Sequence, residues 1–112
     1  MTLINLSYLQ GQAEAWREHS FPPEHRTAVL QALGVCEEAG ELAHAVLKME
    51  QGIRGTTEEH KAAAADAAGD IVIYLTGLCS ALGINLEEAI YNAWDEVKQR
   101  DWSKNKGDGV TE

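Results

Sequence analysis

Leu6, Leu9, Ala13 and Trp16 recur at helical spacing and predict a first helix over about residues 5–18, which Phe21-Pro22-Pro23 then stops. A second helix is expected over about residues 24–51, with Val29, Leu33, Cys36, Gly40, Ala43 and Leu47 along one apolar stripe. Gly52 and Gly55 mark its end around a short Ile53-Arg54 loop. Thr56 or Thr57 offers an N-cap for a third helix, and Glu58 and Glu59 in its first turn complement the helix dipole. That helix reaches Ala81-Leu82, where Gly83 terminates it. Asn85 then caps a fourth over about residues 86–100, with Glu87 and Glu88 in its first turn. No strand pattern or internal repeat interrupts this order. The pattern predicts an all-α, four-helix-bundle-like domain over residues 1–102, followed by a polar tail over residues 103–112 that is expected to be mobile.

Composition sharpens the picture. With 112 residues, one Phe, three Tyr and three Trp, the chain has little bulk to fill a core, and its Ala- and Leu-rich helices should pack closely. Completion by a second copy is expected, as a homodimer or homotetramer. Gly40 and Gly69 lie inside helices, where each costs about 1 kcal/mol relative to alanine, and a small residue there would let two backbones approach. The formal charge of -9 argues against a nucleic-acid polymer as partner, because a phosphate backbone calls for a basic surface. A single nucleotide held through a cation remains compatible with it. Cys36 and Cys79 stand in apolar stretches without metal-ligand spacing and read as buried free thiols. Residues 1–20 lack a basic start and an apolar run, and no segment approaches the ~20 apolar residues of a membrane span. A cytoplasmic protein without membrane contact is the expectation.

Two carboxylate pairs carry the chemistry. Glu38 and Glu41, in CEEAGELAHAVLK, and Asp66 and Asp70, in AAAADAAGDIVIYL, are three and four residues apart, so each pair emerges from one helix face. Acids converging from two packed helices repel one another and lose hydration unless a hard divalent cation neutralises them. Oxygen ligands of this kind suit magnesium, with manganese as a substitute. The alternative is a set of ordinary solvated acids, against which stand the apolar neighbours Val35, Leu42, Ile71, Val72 and Ile73.

The runs EEAGELAHAVLK, DAAGDIVIYL, GINLEEA and VKQRDW together resemble the MazG-like nucleotide pyrophosphohydrolases, in the all-helical nucleoside triphosphate pyrophosphohydrolase superfamily that includes the dimeric dUTPases. The resemblance spans about residues 24–102. Glu37, Glu38 and Glu41 meet the family pattern Glu-Glu-x-x-Glu in full. The second pattern, Glu-x-x-Asp, ends at Asp70 but finds Ala67 where its Glu would stand, with Asp66 one residue earlier as the available substitute. The resemblance implies hydrolysis of a deoxy or non-standard nucleoside triphosphate to the monophosphate and pyrophosphate, in housecleaning of the nucleotide pool. It further implies Glu38, Glu41 and Asp70 as metal ligands, Asp66 as the fourth, and Glu37 as the group that orients or deprotonates the attacking water.

Other residues must supply the substrate contacts. Lys48 lies two turns beyond Glu41 on a similar face, where its ammonium can meet a phosphate oxygen. Lys98, Arg100 and Lys104 form a basic cluster; the first two are expected phosphate contacts, together with Asn92, while Lys104 is better read as a cation at a helix C-terminus. Gln12 and Trp16, one turn apart, offer an amide and an indole to read and stack a base. Trp94 and Trp102 read as packing anchors, and His44 as a neighbour of the acids. Two other readings stay open: a non-catalytic helical interaction protein with a regulatory or vestigial cation site, and a related hydrolase acting on dUTP or phosphoribosyl-ATP.

Overall fold

The computed structural model describes residues 4–101 and Ser103. Its elements are α1 (Leu6–Ser20), a 3-10 turn (Pro23–His25), α2 (Ala28–Gln51), α3 (Thr57–Ala81) and α4 (Leu86–Val97). The all-α expectation holds. Trp102, Lys104 and the expected tail from residue 104 onward lie outside the described residues.

Each α-helix begins on a side-chain cap. Asn5, Thr27, Thr56 and Asn85 accept the backbone N–H of the residue three positions on, which satisfies a donor the helix leaves free. Thr56 and Glu59 form a reciprocal capping box, each side chain accepting the other's N–H at 3.0–3.1 Å. The second helix starts at Ala28 rather than near Glu24, because Pro22-Pro23 hold a short 3-10 turn and Thr27 takes the cap. The fourth ends at Val97 rather than Arg100, with tighter turn bonds from Gln99 to Glu96 and from Arg100 to Val97.

Gly52, at φ +68°, closes α2 by donating to the carbonyls of Lys48 and Met49. The chain then reverses within residues 52–56, so α2 and α3 form an antiparallel hairpin. Its register is visible in two close approaches: a methyl group at Gly34 would overlap the Tyr74 ring, and one at Gly77 would overlap the Gln31 amide. A methyl group at Gly40 or Gly69 would meet nothing within 4 Å. The expectation that those two glycines bring the backbones together is therefore corrected, and Gly34 and Gly77 have that role.

The stripe through Val29, Leu33, Cys36, Gly40, Ala43 and Leu47 also faces the other way. Val29 is 68% and Leu33 59% exposed, whereas Gln31, Gly34, Glu38 and Ala45 are buried against α3. Both sets follow helical spacing, but the one that packs is rich in polar and small residues, so hydropathy alone points to the wrong face. On α1 the buried residues are Gln10, Ala13 and Arg17; Leu6 and Leu9 are half-buried and Trp16 is exposed. Gln10 ties α1 to the α3–α4 connection by donating to the Ile84 carbonyl at 2.8 Å and accepting the Leu86 N–H at 2.9 Å.

Cys79 is buried, and burial pushes its thiol pKa up, but Cys36 is exposed on the outer stripe, contrary to expectation. Trp94 is 60% exposed rather than a packing anchor, since α4 buries only Leu86. One further expectation is corrected: α3 is long and apolar enough, by length and composition, to cross a membrane. Its alanines raise the mean hydropathy; in the fold it is the central helix, packed against α1, α2 and α4.

Candidate metal centre

The acid row begins on α2. Glu37, Glu38 and Glu41 each bring a carboxylate oxygen within 4.8 Å of the others. Glu38 stands on the face packed against α3 and is only 9% exposed, while Glu37 and Glu41 flank it in solvent. Burial raises the Glu38 pKa, helped by the charge of Glu41 and a carboxyl contact with it, and then by the charges of Asp70 and Glu37. Its Oε2 is buried with no hydrogen-bond partner. A buried acceptor among like charges is costly on its own, and a hard divalent cation is the group that would satisfy all three carboxylates together. The residues present fit such an ion, with Glu38 as the inner ligand and Glu41 and Glu37 beside it.

Asp70 is half-buried on α3 and lines one cleft with Glu38. Asp66, a turn earlier, is exposed and lines a second cleft with Glu37 and Glu41. A one-residue offset on a helix is a rotation of about 100°. Ala67, at 3% exposure, occupies the inner face where the family pattern carries its Glu, and Asp66 is turned towards the other side of the row. The five acids are thus shared between two clefts, Glu38 and Asp70 in one and Glu37, Glu41 and Asp66 in the other.

The first cleft has a volume of about 450 Å³ and is walled by Trp16, Phe21, Tyr74 and Gln31 beside Glu38 and Asp70. Trp16 and Phe21 meet edge to face with ring centroids 5.6 Å apart, which holds the indole at the rim. Arg17 lies at its floor. Its guanidinium donates to the Ile73 carbonyl at 3.2 Å, to Thr76 Oγ1 at 3.3 Å and to Glu14 at 3.4 Å, while its Nε has no partner. The second cleft, of about 490 Å³, holds Glu37, Glu41 and Asp66 together with Lys48 and Arg54.

The remaining sequence-derived candidates are scattered. Trp16 and Lys48 reach the clefts, one each. Gln12 is exposed and donates to Tyr8 Oη at 3.1 Å, away from both. Asn92, Lys98 and Arg100 lie on or just past α4 and line neither cleft; Lys98 pairs with Asp95 at 3.1 Å and Arg100 with Glu96 at 3.9 Å. Within one described chain the α4 cations are therefore not brought to the acid row. Sequence reasoning missed Arg17, Gln31, Tyr74 and Arg54. The signal for Arg17 was available, since Gln10, Ala13 and Arg17 share helical spacing, but that stripe is polar.

Residues 7–100 match the family model described as phosphoribosyl-ATP pyrophosphohydrolase. Among curated proteins, none matches the chain. The chain therefore belongs to the phosphoribosyl-ATP pyrophosphohydrolase family, an all-α family of the nucleoside triphosphate pyrophosphohydrolase superfamily related to the MazG-like proteins, whose activity is of the pyrophosphohydrolase type on nucleotide-like substrates.

Proposed function

We propose that this protein is a magnesium-dependent pyrophosphohydrolase that converts a nucleoside triphosphate, deoxy or non-standard, to the monophosphate and pyrophosphate, as a housecleaning enzyme of the nucleotide pool. The observation that carries this reading is the unpartnered Oε2 of Glu38, buried within the Glu37–Glu38–Glu41 cluster and sharing a cleft with Asp70. Glu38, Glu41 and Asp70 would hold the cation, with Asp66 as a fourth carboxylate from the second cleft. When bound, the ion supplies Lewis-acid stabilisation of the charge that develops on the phosphate oxygens.

The chain's own groups do the rest. The oxygen of water adds to the α-phosphorus, the bond from that phosphorus to the bridging oxygen breaks, and pyrophosphate leaves with the electron pair. Glu37, exposed at the edge of the cluster, orients the water and takes its proton. Trp16 offers a stacking face to the base, and Lys48 a charge to a phosphate oxygen. The exposed apolar side chains of α2 and α4 support self-association as a homodimer or homotetramer. In such an assembly, Asn92, Lys98 and Arg100 of one copy would be free to serve the acid row of another.

A second reading, phosphoribosyl-ATP as the substrate, is favoured by the family match. The test is a product analysis by 31P NMR, with magnesium, over deoxy and non-standard triphosphates and phosphoribosyl-ATP. Monophosphate and pyrophosphate from the triphosphates support the first reading, and turnover of phosphoribosyl-ATP alone selects the second. A protein that hydrolyses neither would be a non-catalytic cation-binding module.

A further inference from the structure

The second cleft has a charge pattern that metal ligation alone leaves unexplained. It brings three acids, Glu37, Glu41 and Asp66, together with two strong cations, Lys48 and Arg54. Among the described residues, neither cation pairs with a carboxylate within 4.0 Å; Lys48 instead donates to the Gln51 amide at 2.9 Å. Opposite charges lining one space of about 490 Å³ without touching leave room for a guest that satisfies both. A polyanion carrying a divalent cation does so, with its metal against the carboxylates and its outer oxygens against the cations.

Arg54 is held for such a purpose. It has φ +60°, a left-handed conformation that a residue with a Cβ rarely adopts. Its neighbours keep it there: Gly52 caps α2 on one side, and His60 Nε2 lies 2.9 Å from the Ile53 carbonyl oxygen on the other. A Cβ at Gly55 would stand 3.3 Å from the same imidazole, so the loop follows the histidine closely. His60 is thus a positioning residue for the loop, whose Arg54 lines the cleft. Strain retained beside a cleft points to use.

The two clefts also differ in kind. Aromatic rings wall the one that contains Glu38 and Asp70, where the buried Arg17 is engaged by Ile73, Thr76 and Glu14. Lys48 and Arg54, paired with no carboxylate among the described residues, stand in the one that contains Glu37 and Glu41, with the cluster of three glutamates bridging the two. A nucleoside triphosphate has the same polarity, a flat apolar end and an anionic end joined at the α-phosphate. We infer that the second cleft is the pyrophosphate subsite, where Arg54 and Lys48 hold the two phosphates that leave, while the nucleoside lies across the acid row in the aromatic cleft. This rests on the pyrophosphohydrolase reading above and assigns an orientation to its substrate. The water then enters opposite the leaving pyrophosphate, so Glu37 acts on it through the glutamate cluster where the two clefts join and not from within the second cleft.

Inorganic pyrophosphate with magnesium chloride is the probe, titrated calorimetrically into the full chain. The variants are Arg54→Asn, which tolerates the left-handed backbone, and Lys48→Met. Wild type should bind, each variant should bind roughly tenfold or more weakly, and nucleoside monophosphate should quench Trp16 fluorescence equally in all three. In turnover the variants should raise KM for the triphosphate more than they lower kcat. Wild type that does not bind pyrophosphate, or variants that bind it as wild type does, would overturn the subsite. Arg54-dependent pyrophosphate binding in a protein that turns over no nucleotide would uphold the subsite and sink the hydrolase reading instead.

Discussion

The face of α2 that meets α3 carries Gln31, Gly34, Glu38 and Ala45, whereas the face turned to solvent carries Val29, Leu33, Val46 and Leu47, each at least 41% exposed. An ordinary amphipathic helix in a monomer has the opposite arrangement. Burying Glu38 and Gln31 costs stability that a hydrophobic pair would not, so the inner face is arranged for a site. Four aliphatic side chains left in water on one helix face form an apolar surface of the kind that the proposed self-association would cover. Under the proposed function this difference divides two jobs on one helix, chemistry inward and assembly outward, and each should be breakable without the other.

The largest effect is expected on the inner face. Glu38→Gln keeps the shape of the side chain but removes the charge at the centre of the cluster, and Asp70→Asn does the same across the hairpin; turnover should fall by ~100-fold or more with the helical circular dichroism unchanged. On the outer face, Val29→Asp combined with Leu33→Asp should reduce the mass in light scattering to that of the 12.2 kDa chain. A wild type already monomeric at micromolar concentration would contradict that half of the comparison.

Two glycines on α2 sharpen it further. Gly34→Ala drives a methyl into the Tyr74 ring and should cost about 1–3 kcal/mol in denaturant unfolding. Gly40→Ala enters open space and should gain up to about 1 kcal/mol from helix propensity. Equal effects would mean that the register is wrong. Asp66→Ala tests whether the carboxylate at the edge of the second cleft serves the cation: about a tenfold loss of magnesium affinity is expected, and unchanged affinity would remove Asp66 from the site.

The smallest effect belongs to the hairpin's tip, which both faces share. Thr56→Ala should cost about 1 kcal/mol through the lost cap. Hydrogen bonds from the Thr56 backbone and side chain lower the Glu59 pKa below its ordinary 4.5. A carboxyl depressed in the folded state contributes stability above its unfolded value and loses it as the pH falls through the folded one. The stability gap between wild type and Glu59→Gln should therefore be full at neutral pH and close below about pH 4.5.

Much of this was legible in the sequence, for identifiable reasons. Helix ends announce themselves through local chemistry, so Gly52, the Thr56 choice, Gly83 and Asn85 placed four boundaries closely. The acids of α2 were legible because spacing on a helix fixes their face, and the glutamate cluster follows from it. Which face packs was not legible: two stripes of equal periodicity compete on α2, and the more apolar one faces outward. Gln10, Arg17 and Gln31 were missed for the same reason, since buried polar side chains look like surface until their partners, such as Thr76 and Ile84, are known. Arg54 carries no signal in sequence beyond its flanking glycines, because its value lies in a backbone angle.

The most direct test is pyrophosphate release from a triphosphate by the 112-residue chain, titrated with magnesium after exhaustive chelation, in wild type and Glu38→Gln side by side. Release should be absent without the ion, recover to saturation with added magnesium in wild type, and stay absent in the variant. Sustained release from wild type in excess chelator would contradict the proposed function.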